Sequence, residues 1–140
     1  MKKFATTAVL AFATLFIDPS AKAGDVLTTS DYFKIRAEFR KHKLTGFQAE
    51  KACDIVKGNE AHLRSYVVDV TRSGRISADM DEAVVSVPDI QLRLSDDDQT
   101  VKVRQGQMIE YHGDIIACRY DTTFGVLELG IINGRLVKHY

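Results

Sequence analysis

Apolar positions change their period twice along this chain. From Phe4 to Ile17 they dominate a stretch that lies between Lys2-Lys3 and Pro19. Further on they recur three and four residues apart, at Tyr32, Ile35 and Phe39 and then at Ala49, Ala52, Cys53 and Val56. That spacing is one face of a helix, so it predicts two helices. The first runs from a cap at Ser30 or Asp31 to about Lys43. The second opens on Thr45-Gly46-Phe47-Gln48, where a threonine precedes a glutamine by three in the form of a capping box. Gly58 sits where a left-handed residue closes that helix.

From about Arg64 the period becomes two. In SYVVDVTRSGRI, Tyr66, Val68 and Val70 fall on one face and Val67, Asp69 and Thr71 on the other, with Gly74 free to bend or bulge. EAVVSV and IQLRLS read as short strands with Pro88 between them, because proline cannot donate to a ladder. SDDDQ reads as a loop. QMIEYHGDIIACRY is a longer strand broken at Gly113. GVLELGII follows, and Asn133-Gly134 has the composition of a two-residue hairpin turn before RLVKHY. The fold class is α+β: two N-terminal helices followed by a small OB-like antiparallel barrel of five to six strands, with glycine where a long strand turns a corner.

The N-terminal stretch changes the picture of the compartment. Two lysines, an apolar run too short to span a bilayer, and Ala21-Lys22-Ala23 before Gly24 form the three parts of a secretory signal peptide. Residues 1–23 are expected to be removed, leaving a helical segment at 24–58 and the barrel at 59–140, periplasmic or secreted, with no transmembrane segment after cleavage. Cleavage takes away Lys2, Lys3, Lys22 and Asp18 and leaves 16 basic and 18 acidic residues, a formal charge of −2. Nonspecific nucleic-acid binding rests on a basic excess, so this balance argues against it. KIRAEFRKHK at 34–43 is locally basic and reads as a solvated helix face.

The segment from Glu60 to Val137, with YVVDVTRSGRI, IQLRL, VRQGQMIEYHGDIIAC and LELGIINGRLV, resembles the tRNA-anti-like OB-fold family of bacterial secreted proteins. It departs from that pattern in a slightly shifted Ser73-Gly74 and an additional Asn-Gly near the end. The resemblance implies an OB-like barrel in the cell envelope and carries over no catalytic residue.

His112, Asp114 and Cys118 lie within seven positions and invite a catalytic reading. On an extended strand, however, His112 and Cys118 stand about 20 Å apart, too far for a local dyad. His42, His62, His112 and His139 show no metal-ligand spacing, and no cofactor motif occurs. The reading is an exported, noncatalytic binding module for an envelope protein or small ligand, with Tyr66, Arg72, Arg75, Arg93 and Arg104 as its candidate surface. The alternative is a small envelope enzyme with a long-range site that includes His112 or Asp114. Cys53 and Cys118 are the two cysteines of the chain. In an oxidising compartment they form a candidate helix-to-strand disulfide, against the alternative of two buried thiols.

Overall fold

The computed structural model describes residues 25–81 and 88–139. The signal-peptide reading at 1–23 and the expected strand EAVVSV lie outside the described residues. A short strand that periodicity did not predict, β1 (Val26–Thr28), leads directly into α1 (Thr29–His42). The cap of α1 is Thr28, earlier than Ser30 or Asp31. Asp31 instead occupies the third helical position, where its amide donates to Thr28 Oγ1 (3.2 Å) and its carboxylate accepts from the Thr28 amide (3.0 Å). The reciprocal pair satisfies two donors at once, which a lone cap at Ser30 would not. α2 (Gly46–Val56) has the Thr45–Gln48 box and buries Ala49, Ala52, Cys53 and Val56. Gly58 follows with φ +92°.

The strands are β2 (Glu60–Val70), β3 (Arg75–Asp79), β4 (Ile90–Leu94), β5 (Met108–Asp121) and β6 (Val126–His139). They are joined in the order β2-β3-β4-β6-β5, and β5 returns to β2, which makes a closed five-stranded barrel. β1 adds to the start of β2 in parallel. The barrel is mixed and not antiparallel, because β4 and β6 pair in parallel while the other four pairs are antiparallel. The reason is arithmetic: directions cannot alternate all the way around a ring with an odd number of strands, so one neighbouring pair must agree.

Four local expectations also change. Asn133-Gly134 is no hairpin turn, since β6 runs through it as one strand. The ladder steps from His112↔Arg135 to Asp114↔Ile132, so Gly113 faces two residues, Asn133 and Gly134, in a β-bulge. Asn133 takes φ +56°, a conformation asparagine tolerates, and here it coils a strand instead of reversing it. The long strand β5 is therefore continuous past Gly113. In β2 the register shifts between Val67 and Asp69, leaving Val68 as an extra residue. Ala61, Leu63, Ser65 and Val67 point inward before the bulge, so Tyr66, Val68 and Val70 do not share a buried face. SDDDQ contains the first residues of a single helical turn, α3 (Asp97–Thr100), capped by the Asp96 side chain. The buried faces of both helices and the barrel interior form one hydrophobic cluster.

Candidate functional site

The β2–β3 connection is a tight turn. The Thr71 amide donates to the Arg75 carbonyl (2.9 Å), the Gly74 amide to the Thr71 carbonyl (2.9 Å), and Gly74 has φ +90°. This turn presents Arg72 to solvent and starts β3 at Arg75. Arg75 lies directly opposite Arg93 of β4, and both are exposed. Arg93 donates to the Ser73 carbonyl (2.7 Å), which fixes it against the turn. Among the described residues, no carboxylate lies within ion-pair distance of Arg72, Arg75 or Arg93. Like charges directly opposite on neighbouring strands oppose folding, so this pair is held in place by the turn and the strand ladder.

A groove of about 360 Å³ runs between this turn and the connection that follows α3, with Arg72, Gly74, Asp97 and Val103 among its walls. Arg104 follows Val103. Its loop is pinned to the barrel by the Gly106 amide on the Val67 carbonyl and the Val67 amide on the Gln107 carbonyl, both 2.8 Å. Tyr66 precedes Val67 and is half-buried where β2 meets both β3 and β5. The structure thus gathers Arg72, Arg75 and Arg93 at the turn, and sets Tyr66 and Arg104 where the loop 104–107 crosses β2.

The residues of the catalytic alternative are placed differently. Cys118 is joined to Cys53, Cα atoms 5.4 Å apart, so its thiol is consumed. His112 pairs across strands with His62, ring centroids 4.1 Å apart, and His62 Nε2 lies 2.6 Å from Glu110 Oε2. Asp114 accepts from the Asn133 side-chain amide at 2.9 Å.

One buried polar cluster escaped the sequence reading. Arg36, on the buried face of α1, donates to both carboxylate oxygens of Asp81 (2.8 and 3.1 Å) and stands 3.9 Å from Asp89. The Asp79, Asp81 and Asp89 carboxylates lie within 4.8 Å of one another, close enough to share a cation. Asp81 and Asp89 face the Arg36 guanidinium, and Asp79 joins them through its hydrogen bond with Asp89. Burial, reinforced by the hydrogen bond with Asp79, pushes the Asp89 carboxyl up to about 7, against the Met80 amide that it accepts at 3.1 Å. The Arg36 hydrogen bonds hold Asp81 below its usual range despite partial burial. Behind this cluster, the Ser65 hydroxyl bonds the Tyr111 hydroxyl (2.7 Å) and Tyr32 donates to the Leu127 carbonyl (2.6 Å). Desolvation raises both tyrosines. A signal was present in the sequence: Arg36 is four after Tyr32 and three before Phe39, and a cation on an apolar stripe demands a buried anion.

Comparison with family models, curated proteins and solved structures finds no match to this chain.

Proposed function

We propose that this protein is an exported, noncatalytic binding module of the bacterial envelope, related to the tRNA-anti-like OB-fold proteins, and that it engages an anionic group of a protein or small ligand at the Arg72–Arg75–Arg93 edge. The supporting observation is the direct opposition of Arg75 and Arg93 without a neutralising carboxylate among the described residues. Their mutual repulsion would be relieved by a bound anion, and guanidinium groups suit carboxylates through paired donors. The barrel's connectivity supports the reading, because OB barrels bind through one strand face and its adjoining loops. The disulfide supports the exported compartment.

The enzymatic alternative has less support. Cys118 carries no free thiol, and Asp114 is engaged by Asn133. Affinity capture from envelope extract separates the two readings. The module reading predicts a recovered partner that is retained by a His112→Ala variant. A hydrolase screen in which turnover disappears with His112→Ala would contradict it. Intact mass of the exported protein should begin at Gly24.

A further inference from the structure

Two exposed phenylalanines stand at the α1–α2 end of the molecule, remote in sequence from the arginine edge. Phe124 is 74% exposed, and Phe47 is 65% exposed. Phe124 belongs to the β5–β6 turn, which is self-satisfied: Asp121 Oδ1 accepts from the Thr123 amide (2.8 Å) and the Phe124 amide (3.1 Å). The turn is tied to α1 by Arg40, whose Nε donates to the Gly125 carbonyl (2.8 Å). Between the turn and α1 lies a groove of about 500 Å³, walled by Arg40, Lys43, Leu44, Tyr120 and Phe124. Phe47 opens α2 three residues beyond Leu44, and the Lys51 ammonium sits 5.3 Å from its ring centroid.

The charges at this end are mostly positive. Arg40, Lys41, Lys43 and Lys51 are exposed there. Opposing them, Asp121 caps its own turn, Glu38 pairs with His42 at 3.1 Å, and Glu50 is exposed on α2. The basic run at 34–43 thus ends beside the two rings. Phenylalanines that protrude among lysines and arginines match the boundary between lipid headgroups and acyl chains, where rings insert and cations meet phosphate. A protein partner would call for a contiguous apolar patch, whereas here Lys51 sits against one ring and Arg40 and Lys43 wall the groove beside the other.

We propose that the α1–α2 connection and the β5–β6 turn form a membrane-surface site for anionic phospholipid, with Phe47 and Phe124 as the inserting side chains and Arg40, Lys43 and Lys51 as the headgroup contacts. This site is independent of the arginine edge. The exported protein, its N-terminus read by intact mass, is floated with phosphatidylcholine vesicles that contain or lack phosphatidylglycerol. Binding appears only with phosphatidylglycerol and falls as salt is raised. Lys43→Glu/Lys51→Glu weakens it by at least about twentyfold. Phe47→Ser/Phe124→Ser weakens it by about tenfold per ring. Both variants keep the thermal midpoint of the parent, which separates lost binding from lost folding. No binding to phosphatidylglycerol vesicles, or equal binding by parent and variants, overturns the proposal. Binding of a single-stranded oligonucleotide at this face without vesicle binding overturns it as well.

Discussion

Cys53 of α2 is bonded to Cys118 of β5, a closure across 65 residues of sequence that fastens the helix to the barrel wall. Two main-chain hydrogen bonds reinforce the same junction, from the Gly58 amide to the Ile115 carbonyl and from the Ile115 amide to the Asn59 carbonyl, each 2.9 Å. Constraint of the unfolded chain by such a loop contributes roughly 4 kcal/mol. Urea unfolding with and without reductant should differ by about that amount, and denatured, unreduced protein should show no free thiol. Two free thiols would contradict the bridge.

Gly113 and Gly134 should both resist enlargement. A Cβ on Gly113 would collide with the Ile131 side chain and approach the Ile132 carbonyl oxygen to 3.1 Å. On Gly134 it would meet Leu92 Cδ1 at 2.8 Å and the Arg93 carbonyl oxygen at 3.1 Å. Because backbone oxygens cannot swing aside as side chains do, Gly113→Val and Gly134→Ala should each cost about 1–3 kcal/mol in urea unfolding. Unchanged midpoints would count against the bulge.

Asp89 should make stability fall with rising pH. Its folded carboxyl holds a proton up to about pH 7, whereas an unfolded aspartate releases it near about 3.9. Between those values the folded state binds the extra proton, so the contribution is complete below the unfolded value and is lost as pH rises through the folded one. Asp81 acts with the opposite sign, its contribution lost only as pH falls through its lowered value. Asp89→Asn preserves an acceptor for the Met80 amide and cannot ionise, so its stability should vary less across this interval than the parent's. Equal slopes in thermal unfolding would refute the assignment.

Above about pH 7, where Asp89 is ionised, Arg36→Met removes the guanidinium and leaves the Asp89 carboxylate buried without its cation. The expected loss is about 3 kcal/mol in denaturant unfolding. In an Asp89→Asn background the same substitution should cost less, because one of the two stranded carboxylates is then neutral. Additive losses would show that Arg36 acts through Asp81 alone.

What could be read from the sequence was local. Thr45 and Gln48 are three residues apart, and Ala49, Ala52, Cys53 and Val56 share a stripe within a few turns, so periodicity and side-chain chemistry suffice for α2. The parallel β4–β6 pair depends on which strands meet across the ring, something no window of residues contains. Asn133-Gly134 was misread because positive φ serves a turn and a bulge equally well, and the choice between them is made by Gly113 on another strand. The arginines were legible as candidates, but their grouping at the β2–β3 turn comes from the pairing of Arg75 with Arg93. The Arg36 cluster joins positions 45 residues apart in sequence, which is why Arg36 reads locally as part of a solvated basic face although it is buried against Asp81.

The most direct test of the arginine edge is quantitative affinity capture from envelope extract with the parent and with Arg75→Glu/Arg93→Glu, both exported and matched in thermal midpoint. A partner or ligand retained by the parent should be lost from the double variant, while Arg64→Glu, on the β2–β5 wall, should retain it. The same species recovered at the same yield by parent and double variant, or no specific species from either, would contradict a binding site at Arg75 and Arg93.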